Sequence, residues 1–252
     1  MKRILNTLAQ KWPEYLLEIL VLIIGIYGAF ALESWNENRK EKQTELKIID
    51  QLVDEYEVNL KQLNEKIEFR KSIINGALTM FKLIDNPEKV TYDSLVGTMS
   101  LLVHDPTFDP IHNDLINTGS LRIISNDSLK NNLSNWQSEV LALQELESAW
   151  QKVVEEHINP YFEELGVQRD ILNEILTQEE TIALWILDKS LKNALSITPS
   201  KNKVSQLEIL KNKKLEGLVA SAIAYNQFSN LQSFALKNKM EETLRLLKKE
   251  LK

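Results

Sequence analysis

The densest set of chemically versatile side chains in this sequence is His104, Asp105, Asp109, His112 and Asp114. Imidazole and carboxylate at close spacing are donors that hold zinc or a harder divalent cation. Their order matches no metal-binding motif of known geometry, and helix capping and loop solvation give the aspartates simpler work. The chain is therefore read as holding no metal and no cofactor. His157 stands alone on a helical stretch and reads as a surface or packing residue. Serines are frequent, yet none sits in a G-x-S-x-G elbow, and there is no Gly-rich phosphate loop or dinucleotide fingerprint. Cysteine is absent, which excludes a thiolate nucleophile, a disulfide framework and Cys-ligated clusters. Trp136, Trp150 and Trp185 lie at helical positions, where aromatic rings bury area before they form a ligand cage. No catalytic constellation emerges, and the chain is read as not an enzyme.

The elements around these residues are more informative. Residues 15–32, YLLEILVLIIGIYGAFAL, carry one ionisable side chain, Glu18. Crossing about 30 Å of hydrocarbon takes roughly 20 helical residues, and residues 15–35 supply them. Trp12 and Tyr15 stand at one end and Trp35 at the other, where amphipathic rings prefer the headgroup layer. These features predict a transmembrane helix over 15–35, after a short N-terminal tail of residues 1–14. A buried core helix is a poorer account of so long a run. A cleaved signal peptide is the sharper rival, because Ala29, Phe30 and Ala31 form an A-x-A site after a basic Met1-Lys2-Arg3 start. Against cleavage, the leading region would contain Pro13, Glu14 and Glu18, and the helical pattern continues past Ala31. Glu18 lies about one turn inside the apolar edge, where it either snorkels to the rim or contacts a second helix. Gly25 and Ala29 make a small-xxx-small pair, which lets another helix approach closely. Lys2, Arg3 and Lys11 on one side nearly balance Arg39, Lys40 and Lys42 on the other, but Lys11 lies nearer the apolar edge. The orientation read from this is N-terminus cytoplasmic, with the large domain on the far side.

Leu, Glu, Lys, Asn and Ile dominate the rest, with 7 Gly and 6 Pro in 252 residues, a composition for long helices and few turns. The fold class is all-α: one transmembrane helix, then a helical bundle domain over 36–252. A long helix is expected over about 36–85, ending at Asn86-Pro87. Leu46, Val53, Leu60, Ile67 and Ile74 fill one heptad position; Ile49, Tyr56 and Leu63 fill the other, with Arg70 the exception. Ile48, Leu52, Ile73, Leu78 and Leu83 widen this stripe beyond a narrow seam. An intramolecular bundle is therefore favoured over a parallel coiled coil. Central helices span about 91–196. They comprise 91–103, a helix from Pro110 (capped by Asp109) to Gly119, and one from a Ser125 cap with an Ile124–Leu129 staple to about His157. A kink or stop follows at Asn159-Pro160, then helices over 169–176 and 179–195. A C-terminal helix is expected over 203–252, with Met240, Leu244, Leu247 and Leu251 at its three-four steps.

The order of an apolar span bearing an early Glu18, the membrane-exit string Ser34-Trp35-Asn36-Glu37-Asn38-Arg39-Lys40 and a Leu-rich helix resembles a family of small membrane proteins, mostly from Bacteroidota, known only as a domain of unknown function. The segment Asp114-Leu115-Ile116-Asn117-Thr118-Gly119-Ser120-Leu121-Arg122-Ile123-Ile124 is similar to that family's Leu-x-x-x-Gly-x-Leu-x-x-Ile stretch. The resemblance implies an anchor in a bacterial inner membrane, N-terminus inside, on a helical domain. It brings no activity, cofactor or catalytic residue with it.

The net charge of −6 is scattered along the chain, with no basic block, so nucleic acid is not the expected partner. The expected partners are the lipid bilayer and either a second copy or another membrane protein. The expected function is a membrane-anchored helical scaffold or protein-interaction module. The alternative is a ligand-sensing helical ectodomain that signals through a partner protein, since bundles hold small molecules between helices.

Overall fold

No proline interrupts the chain between Pro13 and Pro87, so nothing in that stretch removes a backbone donor or forces a break. In the computed structural model, which describes residues 2–111, 120–178, 182, 190 and 195–252, one helix of 84 residues, α1, Lys2–Asp85, runs through that stretch and extends past Pro13 at its N-terminal end. At 1.5 Å per residue it is roughly 125 Å long. Residues 2–14, expected as a tail, are its first turns. Its end is where Asn86-Pro87 places it, followed by a 3₁₀ turn at Pro87–Lys89.

The remaining described elements pack along the second half of α1. Helix α2, Tyr92–Leu102, starts at Thr91, whose side chain accepts from the Ser94 N–H at 3.2 Å. A 3₁₀ turn, Ser120–Arg122, precedes α3, Asp127–Val153. The cap of α3 is Asn126, which accepts from the Leu129 N–H, and not Ser125, whose N–H and hydroxyl both donate to Glu45. A π turn, Val154–Ile158, carries the helix through Asn159-Pro160 into α4, Asn159–Glu164. Pro160 cannot donate and crowds the carbonyl four residues back; the wider turn relieves both. Gly166, at φ +71°, reverses the chain after α4 with paired bonds from Gly166 to Glu163 and from Val167 to Phe162. Helix α5 is Gln168–Thr177. The expected C-terminal helix is two: α6, Gln206–Leu210, and α7, Lys213–Glu250. The Asn212 side chain accepts from the Lys214 N–H and begins a new helix where periodicity alone showed no gap. Pro110 and Ile111 are irregular. The rest of the helix expected to Gly119, and nearly all of the one expected over 179–195, lie outside the described residues.

The bundle is built within one chain, as the width of the stripe implies. Helix α7 runs antiparallel to α1 and packs on both α1 and α3. The segment 104–111 descends between α1 and α3. The buried face of α1 is rotated from the expected seam. Ile49, Tyr56 and Leu63 are buried, whereas Leu46, Val53, Leu60 and Ile74 are half-buried at its edge and Leu78 is exposed. Ile67 is buried, and Leu52, Ile73 and Met80 complete the face. The rotation follows from α7 covering α1 on one side while 104–111 and α2 cover it on the other.

Two apolar layers form. Ile49, Tyr56, Leu63, Trp136, Leu143, Met240 and Leu247 belong to the layer nearer the N-terminal segment. Ile73, Met80, Met99, Trp150, Phe162, Leu215 and Val219 belong to the farther one. Trp136 packs on Tyr56 with ring centroids 5.0 Å apart.

Candidate functional site

Two regions of α1 carry the surfaces and polar groups that the packing leaves to be explained. The first is the apolar segment. Every residue from Tyr15 to Thr44 is exposed, including Glu18, Gly25, Ala29 and Trp35, as is Trp12 before them. Folding of this chain therefore leaves a whole cylinder of Leu, Ile, Val and aromatic surface uncovered, far beyond the apolar patch of an ordinary soluble monomer. Among the described residues α1 is the one helix long and apolar enough to cross a membrane. Gly25 and Ala29 sit one turn apart, and a Cβ built on Gly25 meets nothing within 4 Å. The Arg39 guanidinium lies 5.8 Å from the centroid of the Trp35 ring, at the end of the segment nearer the bundle.

The second region is a polar layer between the two apolar ones. Arg70, 1% exposed, is the heptad exception. Its Nη2 donates to the Glu147 carboxylate, and its Nη1 donates to Ser233 Oγ at 2.9 Å and Asn230 Oδ1 at 3.3 Å. The other Glu147 oxygen accepts from the Phe108 N–H at 2.9 Å. Burial works against the charge on both partners, pushing the Glu147 carboxyl up while Arg70 and the Phe108 N–H pull it back. The guanidinium is likewise lowered by burial and held up by Glu147. Helices α1, α3 and α7 thus meet at one buried ion pair in which both terminal nitrogens of Arg70 and both oxygens of Glu147 are hydrogen-bonded.

The same layer fixes part of segment 104–114, whose side chains are metal ligands by type but read as holding none. His104 is fully buried, its ring 5.1 Å from Phe69, and burial lowers its pKa to about 4. Its carbonyl accepts from Trp150 Nε1 at 2.8 Å. Gln144 Nε2 donates to the Phe108 carbonyl, and the Asn59 amide grips Ile111 through both its N–H and its carbonyl, at 2.8 and 3.0 Å. Asp105 is half-buried, with a pKa raised chiefly by burial, and Asp109 is exposed. His112, Asp114 and Trp185 lie outside the described residues. Among the described residues no three His, Asp or Glu side chains gather as a metal site. His157 is exposed on the π turn, and Trp136 and Trp150 are core residues.

Tyr92 donates to Asp170 at 2.6 Å, the other Asp170 oxygen accepts from the Ser200 N–H, and Arg169 donates to Thr198; these bonds tie the 198–200 loop to α2 and α5. Along the flank of α1 and α7 runs a groove of about 840 Å³. Leu60, Phe69 and Leu244 supply its apolar surface, with Lys61, Glu65 and Glu68 among its charged lining residues.

Sequence reasoning missed the ion pair, although its signal was present. Arg70 breaks an apolar heptad position, Glu147 falls between Leu143 and Trp150, and Asn230 and Ser233 sit three apart. Each helix therefore carries a polar interruption on an otherwise packing face.

Comparison of the chain with protein-family models, curated proteins and solved structures finds no match in any of the three.

Proposed function

We propose that this protein is a membrane-anchored helical scaffold, a non-enzymatic interaction module held by one span with its N-terminus on the cytoplasmic side. One observation carries the reading: α1 bears an uncovered apolar cylinder at one end and the core face of the bundle at the other, with no break between them. Water would leave that cylinder's apolar surface unburied, and a bilayer would bury it. The resemblance to the Bacteroidota membrane family supports the same reading. A second copy or another membrane protein is the partner that the Gly25/Ala29 face suits.

The experiment is alkaline carbonate extraction of membranes from cells expressing the full chain, joined to intact-mass measurement and crosslinking in the native membrane. The expected result is a chain that stays in the pellet at full mass and crosslinks to a dimer or to one specific protein. A chain recovered in the supernatant, or lacking its first thirty or so residues, overturns the anchor. A clean monomer without a partner overturns the scaffold.

The groove beside Phe69 favours one second reading, a ligand-binding domain that signals through a partner. A small molecule that binds only the folded bundle would raise its melting temperature, and a screen without any such shift removes this reading.

A further inference from the structure

Helix α7 returns antiparallel to α1, so its last turns arrive at the end of the bundle nearest the apolar segment. Ser125 donates to Glu45 through its N–H and its hydroxyl at 2.6 and 2.7 Å, and the next residue, Asn126, donates to Glu250 at 2.8 Å, which ties the two ends together. The direct contacts of Arg70 with Asn230 and of Lys237 with Asn64 set the register of the two helices and place Glu250 beside about residue 50 of α1, roughly 22 Å from Trp35. Leu251 and Lys252 continue toward the segment.

This end is basic in a chain that is acidic. Residues 36–48 and 245–252 hold eight Lys and Arg against four carboxylates, whereas the whole chain has a net charge of −6. Arg39, Lys40, Lys42, Lys47, Arg245, Lys248, Lys249 and Lys252 are all exposed. Of the four carboxylates, Glu250 turns onto Asn126, and Glu45 divides its oxygens between Ser125 and Lys42. Lys42 is bonded to Glu45 and Lys248 to Glu57, at 2.8 and 2.6 Å, which leaves the other six cations as the outward charge. Arg245, Lys248, Lys249 and Lys252 line one concave surface with Leu244 and a single carboxylate, Glu241.

We propose that this basic end binds the anionic phospholipid headgroups of the bilayer in which α1 is anchored. The inference rests on the anchor reading above, because the span is what places this end at the membrane. With Trp35 at the rim, Arg39 and Lys40 stand about 6–8 Å beyond it, within a headgroup layer of roughly that depth. Lys249 and Lys252 lie roughly 12–17 Å beyond that layer, and their long flexible side chains bring the ammonium groups to about a Debye length from the phosphodiesters, near enough to be attracted and far enough for salt to weaken them. The occupant is a lipid surface because the polypeptide itself fixes the distance. The consequence is a bundle drawn down onto the surface at the C-terminal end of α7.

The test uses the full chain, whose lack of cysteine allows one label at Leu251→Cys, an exposed site. The protein is placed in nanodiscs of phosphatidylcholine alone or of an equal mixture with phosphatidylglycerol, each doped with a headgroup-quencher lipid. Quenching is expected to be roughly twofold stronger in the anionic discs, to lose that increment at high salt, and to lose it in an R245Q/K249Q/K252Q variant. Equal quenching in the two lipids, or an increment that survives the triple substitution, overturns the proposal. Failure of the anchor itself reads differently: the chain would not co-elute with the neutral discs at all.

Discussion

Arg70 spends its long side chain in a layer where apolar residues would cost less to bury. Removing a carboxylate and a guanidinium from water costs several kcal/mol per ion before their attraction is counted, so an intact buried pair is weak support for stability and a broken one is a liability. In this bundle the pair also sets register. Arg70 of α1 is satisfied only when Glu147 of α3 and Ser233 of α7 are at the same height. A slip by one helical turn strands a charge between two apolar layers. Arg70→Met, which strands Glu147, is expected to lower the unfolding free energy by about 3–5 kcal/mol. Combining it with Glu147→Leu removes the stranded charge and recovers most of that loss, short by about 1–3 kcal/mol for the Phe108 N–H left without its acceptor. Urea unfolding of the two variants and the parent checks this. A double variant as unstable as the single one would mean that the ion pair is not the source of the loss.

Helices in this fold are positioned by how closely their backbones can come together, and two glycines show the two sides of that. A Cβ built on Gly76 of α1 would meet Leu101 Cδ1 at 2.7 Å and Cβ at 3.0 Å, whereas one on Gly217 of α7 meets nothing within 4 Å. Alanine is favoured over glycine by about 1 kcal/mol inside a helix, and overpacking costs about 1–3 kcal/mol. Gly217→Ala is therefore expected to raise the melting temperature and Gly76→Ala to lower it. Gly76→Ala combined with Leu101→Ala removes the 2.7 Å contact and leaves only the tight one to Cβ at 3.0 Å, so part of the loss is expected to return. Calorimetry of the variants decides it, and a stabilising Gly76→Ala would show that α2 yields freely. Gly76 was not distinguishable in the sequence, since its role depends on Leu101, a residue on another helix. What could be read were features that act locally: the end of α1 at Asn86-Pro87, the extent of α2 and α5, and the apolar segment. The Asn212 break is also local, a cap on the Lys214 N–H, but it lies inside a run whose apolar periodicity does not lapse. Features that arise from contact between distant residues could not be read: the rotation of the buried face, the transfer of capping from Ser125 to Asn126, and the joining of Arg70 to Glu147.

At the scale of the whole molecule the property that matters is continuity. Residues 36–44 of α1 are exposed on all sides and connect the apolar segment to the first buried side chain, Glu45. Among the described residues no hydrogen bond from another element reaches residues 36–44, so the stiffness of this stalk rests on the backbone ladder and side-chain contacts such as Arg39 on Trp35 and Lys42 with Glu45. An isolated helix of that length is marginal in water, but here both ends are held, one by the core and the other by lipid on the reading proposed above, so nucleation is already complete. Spin labels at Glu33→Cys and Lys82→Cys, both exposed, should then report one narrow distance of roughly 75 Å in nanodiscs, the product of 49 residues and the helical rise. Four glycines inserted after Lys40 would remove the ladder and add flexible chain, and the distribution should broaden and shift while the bundle's melting temperature stays unchanged. A broad distribution in the parent chain would mean that the stalk bends. The bundle would then be a tethered domain whose position relative to the span carries no information, and a scaffold of fixed height could not be built from it.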